Sequence, residues 1–149
     1  MTRPAEHLRS HEAITAAVSD IVGSTRVVDM HTHLFAPEFG SLNLWGIDEL
    51  LNYHYLIAEL FRVSSIRYDE WWAMPRPDQA DMIWSELFVK RPPISEATQG
   101  VVRVLTSFGL DPCAPDLRQA REFFASQDAR SHADRVLDMA GVDWLVMTN

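Results

Sequence analysis

At 149 residues and 47% hydrophobic, the chain is long enough for one domain with a real core and should fold rather than stay disordered. A formal net charge of -8, with no basic stripe, excludes a general nucleic-acid binder. No apolar run reaches the roughly 18 residues of a transmembrane helix, the polar start lacks a signal-peptide core, and the single cysteine cannot make an internal disulfide, so a cytoplasmic protein with no membrane partner is expected.

Residues 5–22 read as a helix, because Ala13, Ile14, Ala17, Val18, Ile21 and Val22 recur at helical spacing, with Gly23 as its stop. His7 and His11 are four apart on it, but with no third ligand nearby they read as a solvated face. The next stretch, 27–34, alternates with a period of two and reads as a short buried strand. That period sets Val27, Asp29, His31 and His33 on one face and Val28, Met30, Thr32 and Leu34 on the other. Two imidazoles two residues apart on a strand aim at the same space, a geometry suited to gripping one metal ion; the alternative is a pair of hydrogen-bonded core histidines.

Phe35 to Gly46 is a loop, marked by Pro37, Gly40 and Gly46, in which Glu38 reads as a solvated carboxylate rather than a base or ligand. A helix is expected over Asp48 to Arg62, with Ile47, Leu50, Leu51, Ile57, Ala58 and Phe61 as its apolar stripe. His54 falls inside that stripe, so spacing alone makes it a satisfied core histidine, with a ring turned into a site as the other reading. Tyr55 lies on the flank, and Arg62 is near it in the helical register. Tyr68 to Met74 makes one or two turns before Pro75-Arg76-Pro77 breaks it, and Asp78 then caps a helix to about Val89 with Ala80, Ile83, Trp84, Leu87 and Phe88 inward. Trp84 reads as core rather than as a sugar platform.

Ser95 caps a helix whose face is Ala97, Val101, Val104, Leu105 and Phe108, and Gly109 ends it. Cys113, between two prolines, reads as an inert loop thiol. A helix opens at Pro115 or Asp116 and runs to about Ala125, with Leu117, Ala120 and Phe124 inward. Asp128 opens the last helix, with Ala129, Ala133, Val136, Leu137 and Ala140 inward, His132 exposed and Gly141 as the stop. The near-continuous apolar run 143–149 suits a strand covered on both faces of a parallel sheet.

Two strands joined by helices should pair in parallel. A two-stranded parallel sheet stands poorly alone, so the chain is expected to be the opening of a longer α/β protein, with the helical block 48–140 inserted between its strands. The boundaries are an N-terminal helix in 1–26, a first strand 27–34, the insertion, and a second strand 143–149, all within one partial domain.

Asp29-Met30-His31-Thr32-His33-Leu34 resembles the first-strand motif of the amidohydrolase superfamily. Leu51-Asn52-Tyr53-His54-Tyr55 resembles the His-Tyr segment of the uronate (glucuronate) isomerases, as do Trp84-Ser85-Glu86-Leu87-Phe88 and Phe108-Gly109-Leu110-Asp111. Tyr53 stands where members often carry an acidic residue, and Leu56-Ile57 where many carry Lys-Trp. The resemblance implies an N-terminal portion of a metal-dependent (β/α)8, TIM-like barrel. It implies a divalent metal, zinc first and manganese second, held by His31 and His33, with a further aspartate ligand from the last barrel strand. It also implies that His54 and Tyr55 face a small-molecule sugar acid and relay a proton, with Arg62 as a further substrate contact. The reaction implied is the aldose–ketose isomerisation of D-glucuronate or D-galacturonate, which moves a proton between C1 and C2.

Two histidines without a carboxylate leave a metal under-ligated, so the chain by itself is expected to be inactive. Unpaired strand edges should favour self-association or pairing with a completing barrel segment. Two other classes remain open: a metal-dependent hydrolase of the same superfamily, and a non-enzymatic helical module that binds a partner.

Overall fold

The computed structural model describes residues 10–33, 35–36, 38–39 and 45–148. The expectations for His7, Leu34, Pro37, Gly40, Asn149 and the first turn of the N-terminal helix lie outside those residues. The elements run α1 (His11–Ser24), β1 (Val27–Thr32), α2 (Ile47–Leu51), α3 (His54–Val63), α4 (Tyr68–Ala73) and α5 (Arg76–Trp84). A wider π-helical turn (Ser85–Val89) extends α5, followed by α6 (Glu96–Ser107), α7 (Arg118–Ala125), α8 (Ala129–Met139) and β2 (Val142–Met147). The chain is mostly helical with two parallel strands, as the sequence predicts. It forms two compact units: the described residues to 33 together with 130–148, and the described residues within 35–129.

In the first unit, β1 and β2 pair with Val27 opposite Val142, Val28 opposite Trp144 and Thr32 opposite Met147. The Arg26 guanidinium pins the turn that feeds β2, donating to Asp143 at 2.7 Å and to the Val142 carbonyl at 3.1 Å. Gly141 ends the helix before it with φ at +68°, a conformation glycine adopts without strain. Helix α1 is capped by Ser10, whose hydroxyl accepts from the Ala13 N–H, and it runs through Gly23 to Ser24 rather than stopping at the glycine.

The expectation of buried strands is corrected. Val27, Val28, Met30, Trp144 and Met147 are all exposed, as are Ile14, Val18, Ile21 and Val22 on α1. Among the described residues this unit supplies two strands and two helices, too few to cover both sheet faces. His132, expected at the surface, is instead buried at 7% exposure. It lies beside the half-buried Ala129, Ala133 and Leu137 on α8, whereas Val136 and Ala140, expected inward, are exposed.

The second unit carries the core, and every fully buried apolar side chain among the described residues lies between Ile47 and Phe124. The single helix expected over 48–62 is two. Asn52 ends α2 by donating its side-chain amide to the carbonyls of Asp48 (2.8 Å) and Arg76 (3.2 Å), and Tyr53 then turns extended before α3 begins. The break resets the buried face. Leu56 and Leu60 point inward, Ala58 is exposed, and His54, which spacing placed in the stripe, is exposed as well. Helix α5 starts at Arg76 rather than being capped by Asp78, because proline is tolerated in a first helical turn, where no N–H partner is needed.

Other readings hold. Ala80, Ile83, Trp84, Leu87 and Phe88 are buried, and Trp84 stacks on Phe88 while its indole N–H donates to the Ala114 carbonyl at 3.0 Å. Ser95 caps α6 by accepting from the Thr98 N–H at 3.1 Å. Gly109, at φ +72°, closes α6 with paired bonds from the N–H groups of Gly109 and Leu110 to the carbonyls of Thr106 and Leu105. Arg121 ties α7 to α2 and α5 through Asp48 (2.9 Å), Asp81 (2.8 Å) and the Pro77 carbonyl (3.0 Å).

Candidate functional site

In the first unit, His31 and His33 leave the end of β1 on the same side. Their ring centroids are 5.0 Å apart and their planes nearly perpendicular, at 87°. Both residues are exposed, which removes the reading of hydrogen-bonded core histidines. Two local contacts hold the approach to this pair. The Asp29 carboxylate accepts from the His31 N–H at 3.0 Å, which takes that group out of the strand ladder where the pairing is irregular. The Thr148 hydroxyl, just past β2, donates to the Thr32 carbonyl at 3.0 Å and lies 3.5 Å from His31 Nδ1.

The spacing of the two rings can be tested against a shared ion. A zinc–nitrogen bond of about 2.1 Å puts a ring centroid about 3.2 Å from the metal, and two such rings at a tetrahedral angle lie roughly 5.2 Å apart. The observed 5.0 Å fits that requirement. With the Thr148 hydroxyl 3.5 Å from Nδ1, His31 Nε2 is the ring nitrogen that could hold a metal. Among the described residues, no cluster of three or more His, Cys, Asp or Glu side chains comes together as a fuller ligand set.

In the second unit, the break at Asn52–Tyr53 brings three consecutive rings to the start of α3. Tyr53 and His54 have centroids 4.2 Å apart, His54 and Tyr55 also 4.2 Å, and Tyr53 and Tyr55 5.4 Å. All three are exposed, Tyr55 at 58%. This is an aromatic surface with two phenols and one imidazole, able to stack on the apolar face of a sugar and to exchange protons with its hydroxyls. The structure does not bring Arg62 to this cluster. Eight residues along α3 is a rise of about 12 Å, so Arg62 lies at the other end of the helix.

Sequence reasoning passed over two residues, Tyr53 and Thr148. Tyr53 could have been found from its adjacency to His54-Tyr55 once a helix break at Asn52 was recognised. Thr148 gives no signal in the sequence, because its nearness to His31 depends on the parallel register. Glu38 is exposed in the loop, and Cys113 is an exposed free thiol in the turn that follows Leu110.

No family model matches the chain, and no curated protein matches it. Among solved structures, a uronate isomerase from Bacillus halodurans C-125 superposes with a TM-score of 0.88 and 47% sequence identity over 94% of this chain. The resemblance to the uronate isomerases read from the residues therefore holds. The chain spans 33% of the length of that uronate isomerase. The helical block between two parallel strands is thus an arrangement this chain has in common with a uronate isomerase. No helix among the described residues is long and apolar enough to cross a membrane.

Proposed function

We propose that this protein works as a uronate isomerase, interconverting D-glucuronate or D-galacturonate with the corresponding ketouronate. The observation that carries the reading is the 47% identity to a uronate isomerase over 94% of the chain. In the proposed arrangement, β1 and β2 are the first two strands of a (β/α)8 barrel in a cytoplasmic protein. Their parallel pairing and their exposed apolar side chains support this, since barrel strands are covered on both faces. Further barrel strands would cover those faces; without them, self-association would.

His31 and His33 are the proposed metal ligands, for zinc first and manganese second. A divalent ion bound there would act as a Lewis acid toward a carbonyl or hydroxyl oxygen of the sugar. The chain's own residues do the rest. The isomerisation removes a hydrogen from C2 and returns one to C1, while a hydroxyl proton moves from O2 to O1. Tyr55 is the proposed proton carrier, because a phenol both donates and accepts. His54, with its ring 4.2 Å from that of Tyr55, binds the sugar hydroxyls or carboxylate and sets the phenol's orientation. Arg62 carries no part in this step, since it lies at the far end of α3.

The test is incubation with D-glucuronate and D-galacturonate in zinc or manganese. It is run on this chain alone and on a chimera in which the chain replaces its counterpart in the Bacillus halodurans enzyme. Ketouronate from the chimera, lost at least 100-fold in His31→Ala, His33→Ala and Tyr55→Phe, is the expected result. A folded chimera that hydrolyses esters or amides and leaves both uronates unchanged would overturn it.

A further inference from the structure

A cleft of about 510 Å³ opens in the second unit between the C-terminal half of α3, the π-helical turn and the start of α6. Its volume falls in the range of small-molecule sites, about 300 to 1,000 Å³. Arg62 and Arg91 line it together with Glu59 and Ser95, and Leu87 and Ile94 supply apolar wall. The two arginines differ in state. Arg91 is fixed, donating to the Glu86 carboxylate and carbonyl at 2.9 Å each and to the Val63 carbonyl at 3.2 Å. Arg62 makes no hydrogen bond or ion pair among the described residues. Its planar fork of donors is therefore available, and it lies beside a second guanidinium that is not free to pivot toward a ligand.

Lining the same cleft is an acceptor that is also held in place. The Ser95 hydroxyl donates to Glu59 Oε2 at 2.9 Å, and the same hydroxyl oxygen caps α6. That contact orients the Glu59 carboxylate and leaves its other oxygen open to a donor. A simple anion such as phosphate would gain from Arg62 but meet the like charge of Glu59. A neutral polyol would satisfy Glu59 but leave Arg62 unused. A molecule that carries both a carboxylate and hydroxyl groups satisfies both, and its carbon chain can lie against Leu87 and Ile94.

We propose that this cleft is a binding site for a small hydroxy-carboxylate. The carboxylate sits on the Arg62 fork, a hydroxyl donates to Glu59, and the carbon skeleton rests on the apolar wall. The site is separate from the uronate reading above: Arg62 is about 12 Å along α3 from His54, and no histidine takes part.

The test uses the whole chain, labelled with nitrogen-15, titrated with D-gluconate and, separately, with D-glucitol, acetate and inorganic phosphate. D-gluconate is expected to shift the amide signals of residues 59–63, 91 and 94–98 saturably, in the millimolar range. D-glucitol, acetate and phosphate should each bind at least 10-fold more weakly. Arg62→Gln should weaken D-gluconate at least 10-fold. Because Arg62 is exposed and has no partner among the described residues, the fold should survive. Arg62→Lys, which keeps the charge but not the fork, should fall between wild type and Arg62→Gln. Glu59→Gln should weaken D-gluconate and leave acetate unchanged. Phosphate or acetate binding as tightly as D-gluconate overturns the proposal, as do shifts confined to other residues or an Arg62→Gln variant that binds like wild type. His31→Ala should leave D-gluconate binding here unchanged, so failure of the isomerase reading and failure of this one are distinguishable.

Discussion

On the proposed metal reading, replacing His31 by alanine should remove most of the zinc affinity expected of this chain, and the size of the loss follows from the ligand count. Structural zinc sites with four ligands are worth about 10 to 16 kcal/mol, or roughly 2.5 to 4 kcal/mol per ligand. The rings of His31 and His33, 5.0 Å apart, offer two. Two ligands correspond to a Kd between roughly 0.2 mM and 1 µM, and one to roughly 1 mM or weaker. His31→Ala should therefore weaken zinc by about 100-fold, and His33→Ala by a similar factor. The measurement is a zinc titration against a chromophoric chelator, read in a His11→Ala background so that the His7–His11 pair does not contribute. Titrating the imidazole carbon protons by NMR identifies which rings respond. A Kd that changes by less than twofold in His31→Ala, or zinc that moves the His54 signals and not those of His33, would refute the shared-ion reading of β1.

Four further outcomes concern the second unit. Gln79 is buried and donates to the Trp71 carbonyl at 2.8 Å, so Gln79→Ala should cost about 1 to 3 kcal/mol by urea unfolding, while the exposed Gly100→Ala, in mid-helix with open space around a new Cβ, should stabilise by about 0.5 to 1 kcal/mol. Gly109→Ala also meets open space, but its φ of +72° makes the change destabilising by about 1 kcal/mol, the reverse sign for the same chemical change. Hydrogen bonds from Lys90 and then Arg91 hold the Glu86 carboxyl below the usual carboxylate range; a folded pKa below the unfolded one gives stability that is complete above about pH 4.5 and is lost as pH falls through the folded value. Glu86→Gln should therefore lower the urea midpoint at pH 7 and converge with wild type as the pH falls below the lowered folded value, as followed by circular dichroism.

What the sequence made legible was local. Ser95 and Gly109 could be read because a cap and a left-handed terminus each depend on one residue type at one position. The α5 face could be read because five apolar residues keep one period through the π-helical turn. The break between α2 and α3 could not. Asn52 closes α2 by donating to the Asp48 carbonyl and to the Arg76 carbonyl, 24 residues away, and the second is a tertiary contact that no window of sequence contains. The break decides the candidate site as well. Without the break, helical spacing turns His54 into the core; with it, His54 sits exposed between Tyr53 and Tyr55.

The strands fail in the opposite direction. Their existence and parallel pairing follow from β-branched runs, but their burial does not, because burial belongs to whatever packs on them. Val28, Met30 and Trp144 carry the composition of a strand covered on both faces and are nonetheless exposed. The two histidines carry the same mismatch. They meet at a spacing suited to an ion, yet no third ligand joins them among the described residues. On the proposed reading, in which His31 and His33 hold a metal and β1 and β2 open a barrel, both would be relieved by the same addition, further parallel strands whose ends bring a carboxylate beside the two histidines. The two deficits should therefore disappear together: any polypeptide that protects the Val28 and Trp144 side chains from solvent by supplying those strands should also tighten zinc by the roughly 2.5 to 4 kcal/mol of one more ligand.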